Sequence, residues 1–213
     1  MKPPVILFLT CFVIIAISWY SHSIPPKKTE ITHHVKREIK KPGTDNILQE
    51  LKQKAAEVRL FVQRKGYNQH LCFLINMSLP SGQNRFFVYN LQTDSLQAQG
   101  LVAHGNCFEY WLEGRKYSNS VGSGCTSLGK YRIGIPYIGK FGYSYKLHGL
   151  DSSNNKAFER TVVLHAHNCI PETEVAEDIC QSNGCPTVSP DLLAQLKEFI
   201  KRSKKPVLLW IYE

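Results

Sequence analysis

Of the chain's 213 residues, 43% are hydrophobic and 20% charged, which excludes a disordered, collagenous or multispan membrane protein; the length accommodates one domain of about 150 residues. The formal charge of +9 invites a polyanionic partner, but residues 1–66 carry +7 of it and residues 67–213 only +2. The globular part therefore gives no support to nucleic-acid binding.

Residues 1–23 read as a signal peptide or a single membrane anchor. Met1 and Lys2 precede an uncharged apolar run over residues 5–20, and Ser21 and Ser23 follow it. Lys27, Lys28, Lys36, Arg37, Lys40 and Lys41 outnumber Lys2, and for an uncleaved anchor they would favour a cytoplasmic C-terminal side. Cleavage and anchoring both stay open. The expectation is export to the periplasm or cell envelope, with membrane association through residues 5–20 in the anchored case. Cysteines stand at 11, 72, 107, 125, 169, 180 and 185. Cys11 falls inside the apolar run, so six belong to the exported part, enough for three disulfides or for two plus free thiols.

Residues 24–45 mix prolines with alternating charges and cannot bury enough apolar area to offset chain entropy, so they read as a basic, flexible spacer. A helix is expected over 46–66. Asn46 and Gln49 can form its cap, Ile47, Leu51, Ala55, Val58 and Val62 share one face, and Gly66 stops it. From Gln69 onward the pattern turns to short strand-like runs at 70–77, 85–90, 100–104 and 160–167, separated by turn residues that include 80–82 and the glycine-rich 121–129. Residues 191–202 read as a helix with Ser189 or Asp191 near its cap, and 206–212 as a buried closing strand. The fold class is thus mainly β with peripheral helices, expected as a monomer.

Chemistry concentrates late in the chain. The run 162–167 places His165 at the end of a buried strand. Seventeen residues after it begins Ser182-Asn183-Gly184-Cys185-Pro186, where a glycine frees the backbone for a turn that can present a sulfur and amide donors. A cysteine acyl-transfer site needs these parts: a thiolate nucleophile, an imidazole to take its proton, and amides for the oxyanion. A zinc site built from His165, His167, Cys169, Cys180 and Cys185 competes with this reading, although the intervals fit no common ligand spacing. Cys107 with Cys125, and Cys169 with Cys180, are plausible disulfides of modest loop length. If both form, Cys72 and Cys185 remain, the first in an apolar strand and the second beside a polar turn.

From about Leu101 to the C-terminus the chain resembles the murein L,D-transpeptidase catalytic-domain family. The resemblance rests on His104-Gly105, Tyr117-Ser118-Asn119, Ser127-Leu128-Gly129, 139–142, 149–151, Asn154-Asn155, Arg160 and the 182–186 motif. It implies an L,D-transpeptidase-like β-sandwich or barrel over 67–213, with Cys185 as nucleophile and His165 as general base. Ser182 and the amides of Gly184 and Cys185 would support the turn and the oxyanion hole. His104, His167, Asn183 and Thr187 would contact substrate. Ala166 stands where the family's usual glycine follows the base, Asn183 where a histidine often precedes the Gly-Cys pair, and Thr187 where the commoner branch has Arg or Asn. His167 is open to three roles: orienting partner, alternative base or strand-end histidine.

The implied substrate is a peptidoglycan peptide stem, cut before its terminal D-alanine through a thioester on Cys185. An amine acceptor would then form a 3-3 cross-link, and no cofactor or metal is required. Hydrolysis at the same stem, as an L,D-carboxypeptidase or cross-link cleaver, is the alternative. A non-catalytic wall-binding or zinc-stapled module stands behind it.

Overall fold

The computed structural model describes residues 43–213, so the expected leader and most of the spacer lie outside the described residues. Helix α1, Thr44–Lys65, begins two residues before the expected start. Gly43 holds the cap position and its carbonyl accepts from the amides of Asn46 and Ile47, so Asn46 sits inside the first turn and caps nothing. Asp45 in that turn suits the positive end of the helix dipole. At the other end Gly66 takes the expected left-handed conformation, with φ 72°.

Leu51, Ala55, Val58 and Val62 of α1 are buried against Cys72, Leu74, Phe87, Tyr89, Leu208 and Trp210. The strands beneath it are β1 (Leu71–Asn76), β2 (Phe86–Asn90) and β9 (Leu208–Tyr212). Both faces of β1 are buried: Cys72 and Leu74 meet α1, while Leu71, Phe73 and Ile75 point to the main core. This two-sided burial explains its unbroken apolar sequence.

The remaining strands are β3 (Ser95–Gly100), β4 (Val102–Ala103), β5 (Gly129–Gly139), β6 (Gly142–Gly149), β7 (Val163–Ala166) and β8 (Thr187–Val188). All nine form one sheet in the order β3-β2-β1-β9-β5-β6-β7-β8-β4. The β1–β9 and β7–β8 pairs are parallel and the others antiparallel. Only Leu101 separates edge strand β3 from edge strand β4, so the sheet curls until its two edges meet, a nearly closed barrel as expected. The buried Arg85 side chain stitches that seam, donating to Val102 O from Nε at 2.9 Å and from Nη2 at 2.6 Å. Helix α2, Pro190–Lys201, is capped by Ser189 Oγ, which accepts from Leu192 N at 3.2 Å. It sends Leu192, Leu193 and Leu196 into the main core.

Two strand expectations need correction, and further strands were not expected. The run 100–104 is not one strand but the junction of β3 and β4, and the mostly polar β3 was not expected at all. Residues 160–162 precede β7, because turns occupy 152–161. The β5–β6 hairpin was also missed. Tyr131 and Ile133 alternate with Lys130 and Arg132, and Tyr143, Tyr145 and Leu147 with Ser144, Lys146 and His148, but the pattern breaks toward the tip, where Ile135 and Ile138 are exposed and Pro136 sits at an irregularity in the pairing.

Candidate active site

Alternation along β7 and β8 sorts the side chains. Leu164 and Val188 enter the main core, with Ala166 packed against it. His165 and Thr187, register partners on the parallel pair, take the opposite face. There a cavity of about 330 Å³ opens, lined among others by Arg160, His165, His167, Ser182, Asn183, Cys185 and Thr187.

The nucleophile turn is held from several sides. Ser182 N donates to His104 O at 2.8 Å and Asn106 N to Ser182 O at 2.8 Å, with Gly105 bridged to Ser182. Ser182 Oγ donates to Cys185 O at 2.7 Å and accepts from Gly184 N at 3.2 Å. Gly184 has φ 106°, and a Cβ there would lie 2.8 Å from Cys125 O. A Cβ on Gly105 would lie 2.4 Å from Gly124 O and 2.8 Å from Gly184 Cα. Both glycines are therefore required by close backbone approach. The Gly184 amide is turned to Ser182, whereas the Cys185 amide has no hydrogen-bond partner among the described residues.

His165 is 4% exposed and stacks on Phe141, with ring centroids 4.3 Å apart. Its Nδ1 lies 3.1 Å from Ala166 O and its Nε2 3.0 Å from Thr187 Oγ1. Burial pulls its pKa below the ordinary histidine value; the Ala166 carbonyl opposes that and nearby His167 adds to it. Burial raises the Cys185 thiol, while a backbone hydrogen bond from Val163 and the Arg160 charge pull it back. Burial thus favours the neutral form of both thiol and imidazole. Arg160 also clamps the neighbouring loop, donating to Ser118 O at 2.8 Å and Ser127 Oγ at 3.0 Å from Nη1 and to Ser123 Oγ at 3.3 Å from Nη2.

Cys107 pairs with Cys125 and Cys169 with Cys180. The free cysteines among the described residues are Cys72, buried in β1, and Cys185. The second disulfide removes Cys169 and Cys180 from the expected zinc set and leaves them in the cavity wall.

The family described as L,D-transpeptidase catalytic domain matches residues 44–212. The chain belongs to this family. No curated protein matches it. Among the solved structures similar to it is the helical cell shape determining protein Pgp2 of Campylobacter jejuni, at 12% identity over 69% of this chain and 49% of that one, TM-score 0.46. An L,D-transpeptidase of Xylanimonas cellulosilytica has 15% identity over 76% and 77%, TM-score 0.38. L,D-transpeptidase 1 of Mycobacterium tuberculosis has 13% over 68% and 62%, TM-score 0.36. The chain spans about half to three-fifths of the length of the first three such structures.

Within this L,D-transpeptidase domain the expected site residues divide. Cys185, His165, Ser182, Asn183, His167 and Thr187 line one cavity. His104 does not. It is 5% exposed, its Nδ1 accepts from Arg85 Nη2 at 3.1 Å, and burial beside Arg85 and Arg115 pushes its pKa down to about 4. Its Nε2 is buried without a hydrogen-bond partner among the described residues, and Ala103 rather than His104 lines the cavity. His167 is exposed and accepts from Cys169 N at 3.1 Å through Nδ1, while Asn183 is exposed at the rim. Thr187 is 3% exposed. Phe141 and Arg160, each part of a stretch that carried the resemblance, had no role assigned from sequence. Their signal was a position near the motif in space, which spacing along the chain does not report.

Proposed function

We propose that this L,D-transpeptidase domain is a cysteine-dependent acyltransferase acting on peptidoglycan peptide stems in the cell envelope. The observation that carries this reading is one cavity holding a free thiol and a buried imidazole, while four other cysteines are locked in disulfides. Cys185 Sγ attacks the carbonyl of the third stem residue and its proton passes to His165. The Cys185 amide stabilises the oxyanion. Gly184 contributes the turn rather than a donor, and Ser182 fixes the turn by bonding both of its ends. Collapse breaks the amide, His165 returns the proton to the leaving D-alanine nitrogen, and a thioester remains. An acceptor amine from a second stem then attacks the thioester, giving its proton through His165 to the departing thiolate and closing a 3-3 cross-link. His167 and Asn183 at the rim would meet the stems. The family membership supports the substrate class.

The test is turnover of a disaccharide tetrapeptide by the full chain, with the products resolved by mass spectrometry. Release of D-alanine together with a 3-3 dimer is expected; D-alanine with tripeptide alone would make the protein an L,D-carboxypeptidase. The Cys185→Ala variant should form neither product.

A further inference from the structure

Whatever holds His165 must suit the ring both before and after it takes a proton. No carboxylate lines the cavity among the described residues. The groups around the ring are His167 at the end of its own strand, Cys185 on the turn, Arg160 ahead of β7, and Phe141 on the hairpin with Lys140 Nζ 5.7 Å from its centroid. None can carry a negative charge to balance an imidazolium except the thiolate itself. The carboxylate that steadies the base in many nucleophilic sites has no counterpart here.

Backbone and hydroxyl groups take its place. Ala166 O only accepts, so the hydrogen of the neutral ring lies on Nδ1 and the lone pair on Nε2. That lone pair faces Thr187 Oγ1 at 3.0 Å. The single hydrogen of this hydroxyl has a second acceptor within reach, Cys185 O at 3.3 Å. Thr187 is the register partner of His165 in the β7–β8 ladder and is 3% exposed. The sheet, not a bound stem, sets its position, and little of its surface remains for a substrate to touch.

Resting on the acyl-transfer reading, we propose that Thr187 is the positioning residue of the base and not a reader of the stem. Its hydroxyl donates to Nε2 of the neutral ring; turning that hydrogen to Cys185 O frees the Nε2 lone pair for the thiol proton, and the hydroxyl oxygen then accepts from Nε2–H of the imidazolium. The thiol loses one proton, His165 gains it and the threonine keeps its own; only the hydroxyl rotates. Since Cys185 O belongs to the nucleophile, the contact also ties the base to the turn that carries the sulfur.

Thr187→Val keeps the shape and removes the hydroxyl, whereas Thr187→Ser keeps the hydroxyl. In the full chain, the His165 ring is titrated by NMR, its signal identified by loss in His165→Gln, and the tetrapeptide kinetics are measured alongside. The imidazolium loses the stronger, charge-assisted bond, so His165 should titrate at lower pH in the valine variant and as wild type in the serine variant. The valine variant's kcat should fall about tenfold, the worth of one such bond, with KM unchanged. An unchanged titration with a raised KM would make Thr187 a stem contact and overturn the proposal. An unchanged titration with only a lower Tm would reduce its role to packing and overturn the proposal equally. The titration needs no turnover, so a wild-type protein inert toward the stem would sink the reaction and still leave this assignment decided.

Discussion

Burial sets the reactivity of the two free thiols in opposite ways. Cys72 is fully buried between β1 and α1 and its pKa is pushed up to about 12; Cys185 is also raised, but it faces a cavity and the Arg160 charge. Iodoacetamide on the native protein should therefore alkylate Cys185 and spare Cys72, as peptide mapping would read, with a rate still climbing above the ordinary thiol range. Replacing Arg160 by Gln should slow that alkylation at fixed pH, since the charge favouring the thiolate is gone. For kcat/KM the sign follows from His165. The neutral ring is the base and burial favours the neutral form, so the acid limb of the profile should lie below the ordinary histidine range. A limb at or above that range would contradict the burial argument. Cys185, His165 and Ser182 were legible as residues because glycine chemistry and a β-branched run surround them. That His104 lies buried beside Arg85 and off the cavity wall was not legible, because a His-Gly pair marks the close approach at Gly105 and says nothing about which way the histidine faces.

Each element was readable to the extent that its burial is one-sided or complete. α1 shows its face because only one side meets the sheet, and β1 and β9 show as apolar runs because both sides are covered. Leu51→Ala in α1 should cost roughly 2–5 kcal/mol of stability by chemical denaturation, with the β7–β8 site intact. The edge strand β3 has only Leu96 and Ala98 as apolar positions, and the alternation of Tyr131 and Ile133 in β5 gives way to exposed residues toward the hairpin tip, so neither stands out as an apolar run. That hairpin supplies Phe141 to the ring of His165, so a missed element became a missed site residue. The Cys169–Cys180 loop spans 11 residues and lines the cavity. Replacing both cysteines by serine should lower kcat/KM on the tetrapeptide more than it lowers Tm; the reverse pattern would make the disulfide a staple alone.

At the scale of the whole molecule, the curled sheet explains why a site can form where two parallel strands meet. β7 and β8 present His165 and Thr187 from neighbouring positions, and the loops at 104–106 and 182–185 zip together to place Cys185 in the wall of the same cavity. The mainly β architecture was legible from turn spacing, while the single nine-stranded order with joined edges was not, since long-range pairing leaves no local trace. Among the described residues no helix is long and apolar enough to cross a membrane. The central claim, a thioester on Cys185, is tested most directly by the intact mass of the full chain after incubation with a disaccharide tetrapeptide. The account predicts an adduct equal to the stem minus D-alanine, absent from Cys185→Ala. An unmodified mass with no free D-alanine in solution, from a protein that iodoacetamide still labels at Cys185, would contradict it.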